Sequence, residues 1–175
     1  DFAPVIMPSQ TAMVMVANPS LGVKNAKEFG ALVKKQPGMA VASSGNGSVL
    51  HIAGELFKRS PGLDMLHVPY PGIAPAIPDV IGGHIKVTYA GLGPIASYLN
   101  AGTLIPLATV EERRSPALPD VPTAIEQGFP GVAVEGWYAL LAPKETPAAV
   151  VERLNSEINA IVQEPRILLD FALTI

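Results

Sequence analysis

Residues 38 to 72, GMAVASSGNGSVLHIAGELFKRSPGLDMLHVPYPG, carry one pattern that restricts the fold more than any other part of the chain. A short apolar run over 39–43 meets the Gly/Ser-rich segment Ser43-Ser44-Gly45-Asn46-Gly47-Ser48. Val49, Ile52, Ala53, Leu56 and Phe57 then recur on one helical face, and a second apolar run over 63–68 follows. A second turn, Val68-Pro69-Tyr70-Pro71-Gly72, closes the segment. Strand, helix and strand in this order place both turns at the carboxyl ends of neighbouring parallel strands. Free backbone N–H groups collect at such an edge, and small anions bind there.

The same alternation continues. The pattern predicts a buried strand over 13–17, a helix over 25–34, a helix over 73–81 interrupted by Pro78, a strand over 85–89, a short helix over 94–100 and a strand over 104–110. Strands recurring between helices of this length imply an α/β lobe with a largely parallel sheet covered on both faces. Beyond it, Thr123-x-x-Glu126 has the form of a capping box for a short helix ending at Gly128. Residues 132–141, with the single tryptophan Trp137, read as one long strand and Trp137 as a core residue. Thr146-Pro147 opens a last helix whose apolar face is Val150, Val151, Leu154, Ile158 and Ile161, stopped by Pro165. No repeat is visible. The chain opens at Asp1 and stops at Ile175 inside an apolar run, the pattern expected of a piece of a longer protein.

Composition narrows the function. At 175 residues, 49% hydrophobic and 15% charged, the chain can bury a real core and is not of disordered type. A net charge of -3 with no long Lys/Arg run offers no field for nucleic acid or anionic lipid. No apolar run reaches the ~20 residues that span a bilayer. The absence of cysteine removes disulfides, thiol nucleophiles and Cys-based zinc sites. His51, His67 and His84 show no metal-ligand spacing, so no metal is expected.

The polar 43–48 turn can be a capped helix start, or it can orient a carboxylate with its amides and hydroxyls at the positive end of a helix. Six small polar residues exceed what a cap needs. Gly45-x-Gly47 invites comparison with a dinucleotide fingerprint, but Leu50 stands where the third glycine belongs. Asp64 also precedes the second strand instead of following it. No phosphate loop and no nucleophile elbow are present. His51 has two open readings: a solvent-facing pair with Glu55, or a group turned back towards the 43–48 turn. His67 and His84 read as structural. Tyr70 is placed to present its phenol at the mouth of the sheet. No carboxylate pair or Ser/His/Asp set has suggestive local spacing, so the chemistry is that of binding, not turnover.

Several of these residues together resemble one family: the 43–48 turn, His51-x-Ala53-Gly54-Glu55-Leu56-Phe57, His67-Val68-Pro69-Tyr70, Gly82-Gly83, Arg114-Ser115-Pro116, Leu118-Pro119-Asp120-Val121-Pro122-Thr123, Gly136-Trp137, Leu141-Ala142-Pro143 and Arg153-Leu154-Asn155-x-Glu157-Ile158. They are similar in kind and order to the tripartite tricarboxylate transporter receptors, also called the Bordetella uptake gene (Bug) family. The resemblance covers nearly the whole chain.

It implies a two-lobed periplasmic binding protein of type II, a monomer at full length, whose second lobe is a parallel or mixed sheet flanked by helices. Such a protein closes on a small carboxylated solute and delivers it to a membrane permease, with no cofactor. On this reading, residues 1–12 are a remnant of the first lobe and 13–141 are the second α/β lobe with both crossing strands, 13–17 and 132–141. Residues 142–175 return to the first lobe. The rest of that lobe and the family's signal peptide lie outside the chain. The resemblance assigns ligand contact to Ser43, Ser44, Gly45, Asn46, Gly47, Ser48, His51, Tyr70, Pro71, Gly72, Ala74, Ala90 and Gly91. Ile73 replaces a family glycine, and Ala90-Gly91 replaces an acidic or amide residue, which implies a carboxylate with a less polar or larger remainder. The 166–171 tail is more apolar than the family pattern. Rival readings on the same lobe are a cofactor-dependent enzyme using Gly45-x-Gly47 and the ligand-sensing domain of a regulator.

Overall fold

The computed structural model describes residues 1–60 and 62–167. The chain divides into two compact units, Ala12–Glu135 and the pair of segments Asp1–Thr11 and Gly136–Ile175.

The larger unit is built on a five-stranded mixed sheet. In chain order its elements are β2 (Met13–Ala17; β1 belongs to the other unit), α1 (Ala26–Lys35), β3 (Met39–Ser43), α2 (Val49–Lys58), β4 (Met65–Pro69), α3 (Ala76–Ile81), β5 (Val87–Gly91), α4 (Leu92–Asn100) and β6 (Ile105–Thr109). The strand order is β4-β3-β5-β2-β6. Strands β4, β3 and β5 are mutually parallel, whereas β2 runs antiparallel to both β5 and β6. Three of the five strands thus keep the expected parallel run, and the sheet as a whole is mixed, flanked by helices. An all-apolar strand such as MVMVA is buried on both faces whichever way it runs, so its direction is not written in its composition.

Side chains alternate across this sheet with the period of two that a strand requires. Met13, Met15, Val41, Val87, Tyr89 and Leu107 face α1 and α2, where Phe29, Val33, Ala53 and Phe57 complete one core. Val14, Val16 and Ala90 face α3 and α4, where Ile77, Val80 and Ile95 complete another. Phe57 lies between Phe29 and Phe129, at ring-centroid distances of 5.8 and 4.3 Å.

The helix starts are locally determined. The Asn25 side chain accepts from the Glu28 N–H, and the Glu28 carboxylate accepts in return from the Lys24 N–H. Ser48 caps α2 by accepting from the His51 N–H. Helix α3 starts at Ala76, not at Ile73, so Pro78 occupies the first turn, where a helix N–H has no intrahelical partner to lose. The Thr123/Glu126 capping box forms, with reciprocal bonds of 3.0 and 2.7 Å, but it closes a turn and not a helix. Gly128, only two residues after Glu126 and at φ +93°, leaves no length for one.

The smaller unit pairs β1 (Phe2–Thr11) antiparallel with β7 (Gly136–Pro143), with irregularities on either side of Ile6. Helix α5 (Ala148–Val162) joins β1 through Asn155, whose amide donates to the Val5 carbonyl at 2.6 Å. Three sequence expectations need correction here. The long strand starts at Gly136, not Val132, because Val132 is packed in the core of the larger unit. Trp137 is 58% exposed. The apolar face of α5 buries none of its residues. Strand β1 went unassigned in the sequence because Pro4 and Pro8 interrupt its pattern, which an edge strand with bulges tolerates. Most of the apolar 166–171 tail lies outside the described residues. Among the described residues no helix is long and apolar enough to cross a membrane.

Candidate functional site

The carboxyl ends of β4, β3 and β5 lie side by side, since the three strands are parallel neighbours. The 43–48 turn leaves β3, the 70–75 turn leaves β4, and Gly91 at the end of β5 leads directly into α4. The two turns are locked together. The Tyr70 N–H donates to the Ser43 carbonyl at 3.0 Å. Gly45 has φ +116°, and a Cβ there would sit 3.3 Å from the Tyr70 carbonyl oxygen. Both its conformation and the approach of the second turn demand glycine.

Within the first turn the donors divide into two groups. Ser43 Oγ accepts from the Gly45 N–H at 3.1 Å, and His51 Nδ1 accepts from the Gly47 N–H at 3.0 Å. Ser48 Oγ donates to the Gly45 carbonyl at 2.7 Å. By contrast, the N–H groups of Ser44, Asn46, Val49 and Leu50 have no partner among the described residues. They surround the amino end of the ten-residue helix α2, which carries about half a positive charge. The nine-residue helix α4 begins beside it at Gly91 with no side-chain cap.

The structure distributes the expected site residues unevenly. Asn46, Gly47, Pro71 and Ala74 are exposed, and Ser44, Gly45, Ser48, His51, Tyr70, Gly72 and Gly91 are partly exposed. Two are interior. Ser43 is 1% exposed and works within the turn, and Ala90 is fully buried in the core beneath α4. The Ala90 side chain therefore does not reach the edge, because the period of two turns it inward while Gly91 ends the strand. Ile73, partly buried, packs against the core clusters. The Tyr70 phenol does not point free at the edge: it donates to Asp79 Oδ2 at 2.6 Å, and that bond, with some burial, raises its pKa above the usual tyrosine value.

His51 satisfies both sequence readings at once. Its Nδ1 holds the turn, while its Nε2 is 3.9 Å from Glu55 Oε1. His67, read as structural, belongs to the same cluster. Its ring stacks on that of His51 at 3.9 Å and 15°, and its Nε2 lies 2.6 Å from Ser43 Oγ. The signal was available, because Ser43 and His67 fall on one face of β3 and β4 by simple alternation, the face that α2 covers. Burial, aided by His51 and Lys58 and opposed by Glu55, lowers the His67 pKa below 6.5. His84 is exposed and stands apart.

The Ser43–His67 contact has the spacing of a nucleophile and its base, but the serine is buried and its oxygen already accepts from Gly45, so no substrate can reach it. Leu50, at the position of the missing third glycine, is 4% exposed and part of the core. Among the described residues no cluster of three or more His, Asp or Glu side chains could hold a metal ion. What the edge offers is a set of unpaired N–H donors at a helix start, suited to holding a carboxylate.

The family described as "Tripartite tricarboxylate transporter family receptor" matches residues 1–172. The chain is 32% identical to protein BugT of Bordetella pertussis over 173 residues, 98% of this chain and 53% of that protein. It is 33% identical to a UPF0065 protein from the tcbD-tcbE intergenic region of a Pseudomonas species, covering 94% of this chain and 50% of the relative. Among solved structures, an R. palustris protein with adipate superposes with a TM-score of 0.91 at 30% identity, covering 98% of this chain and 58% of that one. MatC from Rhodopseudomonas palustris with bound malate gives 0.90 at 27% identity, covering 99% and 60%. The chain thus spans about half the length of the curated relatives it matches. These relatives and neighbours are solute-binding receptors, not enzymes, and their fold is that of periplasmic binding proteins. On a match running through 172 of its 175 residues, the chain belongs to the tripartite tricarboxylate transporter receptor family.

Proposed function

We propose that this chain supplies one jaw of an extracytoplasmic receptor that captures a small carboxylate-containing solute between two lobes and delivers it to the permease of a tripartite transporter. The observation that carries the reading is the group of unpaired N–H donors of Ser44, Asn46, Val49 and Leu50 at the start of α2. A carboxylate seated there accepts several charge-assisted hydrogen bonds and meets the positive end of the helix. Adipate and malate, both dicarboxylates, appear in the solved neighbours. Ser48, His51 and Gly45 shape the turn in this reading, Asn46 adds a side-chain amide, and the 70–74 segment with Gly91 forms the adjoining wall. The whole receptor works as a periplasmic monomer, with 13–141 as its second lobe.

The solute has a less polar or larger remainder than an amino acid. Support comes from the β5 end, where Gly91 offers no acidic or amide side chain to hold an ammonium group. Isothermal titration of a two-lobed protein containing this chain, against mono- and dicarboxylates and amino acids, tests the reading. Straight-chain dicarboxylates should bind best. Failure of every carboxylate to bind tighter than ~1 mM, about -4 kcal/mol, refutes it.

A further inference from the structure

The turn that presents the free donors is itself held by two imidazoles, and the chemistry of that hold depends on their protonation. Gly47 N–H donates to His51 Nδ1 at 3.0 Å. Only a neutral imidazole has a ring nitrogen with a lone pair to accept that bond, since a histidinium carries a proton on both nitrogens. Gly45 N–H donates to Ser43 Oγ, which is in turn 2.6 Å from His67 Nε2. The two glycines that allow the turn its shape are thus anchored through the two histidines, and the rings lie face to face at 3.9 Å. A proton on either ring places a cation against its neighbour, and a second proton would set two like charges in contact.

We propose that His51 and His67 are positioning residues that, as stacked neutral imidazoles, hold the 43–48 turn in its carboxylate-accepting shape, and that protonation of His51 releases Gly47 and disorders the donor set. The groups facing the pair are few. From α2 come Glu55, 3.9 Å from His51 Nε2, and Lys58, 3.8 Å from Glu55; from β3 the Ser43 hydroxyl; from β5 the buried Tyr89 phenol, which lines the same small cavity. Lys58 engages Glu55 and opposes a positive charge on the rings, so the single carboxylate does not cancel the effect of protonation. Burial of His67 acts in the same direction. The loss is expected as the pH falls and His51 takes a proton on its second ring nitrogen.

This inference concerns the site of the proposed receptor and rests on that reading for its consequence, though not for its test. The chain, labelled with nitrogen-15 and free of ligand, is titrated from pH 8 to 5 while the Gly47 amide and the His51 ring nitrogens are followed by NMR. In the natural chain the Gly47 amide resonance should shift along the His51 titration curve. His51→Asn, whose carbonyl oxygen can take the place of Nδ1 without titrating, should keep the Gly47 amide bonded and nearly invariant across the range. His51→Ala should leave that amide in its released position at every pH. A Gly47 amide indifferent to pH in the natural chain, or one that titrates equally in His51→Asn, overturns the proposal. Adding adipate to a two-lobed protein containing this chain reads the consequence: the Ser44 and Asn46 amides should respond at pH 7.5 and respond at least tenfold more weakly at pH 5.5, with the two responses within twofold in His51→Asn. An absence of adipate response at both pH values counts against the carboxylate reading, and the Gly47 titration still decides the role of the histidines.

Discussion

Replacing Gly45 by alanine is the sharpest probe of how the site edge is held. Two independent penalties meet at this residue. Its φ of +116° is a backbone conformation that L side chains rarely adopt, at about 1–3 kcal/mol. The new Cβ would also sit 3.3 Å from the Tyr70 carbonyl oxygen, a backbone atom that cannot rotate aside without moving the whole 70–75 turn. A partial offset of ~0.4–1 kcal/mol comes from the lower entropy of the unfolded chain. The net expectation is a destabilisation of about 2–3 kcal/mol. Gly47 supplies the control, because its φ is +76° but nothing lies within 4 Å of a Cβ built there, so Gly47→Ala should cost only ~1 kcal/mol. For a chain of this size each kcal/mol lowers Tm by roughly 2–4 °C, so the two variants should separate by several degrees. Urea denaturation followed by circular dichroism measures both. Equal losses for the two variants would refute the argument that close approach between the turns, and not φ alone, reserves Gly45 for glycine.

Asn18 ties the end of α3 to the turn after β2, donating to the Val80 and Ile81 carbonyls at 2.8 Å each and accepting from the Ser20 N–H. Asn18→Ala should therefore lose about 2–4 kcal/mol in urea denaturation, more than a single cap is worth. Tyr70→Phe removes the donor to Asp79 and should lower stability by about 1 kcal/mol, yet change adipate affinity less than twofold, because the phenol is already occupied. A large loss of affinity would show that the phenol turns to the ligand. Burial, reinforced by Glu135 and opposed by a Met13 backbone hydrogen bond, raises the Glu111 carboxyl above its usual pKa. The folded state then binds the proton more tightly than the unfolded one. Stability should therefore fall as pH rises from about 4.5 through the folded value, and Glu111→Gln should flatten that slope and be the more stable protein at pH 7. Denaturation free energies between pH 4 and 8 decide it.

Much of the fold was legible because it rests on local rules. Helices α1 and α2 were readable from apolar spacing, and β3 from a short apolar run bounded by turn residues. The donor-rich turn could be located because glycine, serine and asparagine cluster where a strand gives way to a helix. The misread elements share one cause, which is that burial is decided by neighbours far away in sequence. Val132 has strand composition but is taken into the core with Phe129, so β7 starts later. Ala90 looked like a ligand contact, yet strand alternation and the packing of α3 and α4 turn it inward. His67 looked structural because nothing in its own segment links it to Ser43 or His51, which are 24 and 16 residues away in the chain.

Sequence alone determined the alternation of strand and helix, the position of the 43–48 turn and its excess of polar donors, because spacing and side-chain type act over a few residues. The tertiary structure decided which of those donors stay free. It reversed β2 within the sheet, seated the second turn against Gly45 and spent the Tyr70 phenol on Asp79. It also stacked two histidines against the turn, since contacts between distant segments form only when the whole sheet closes.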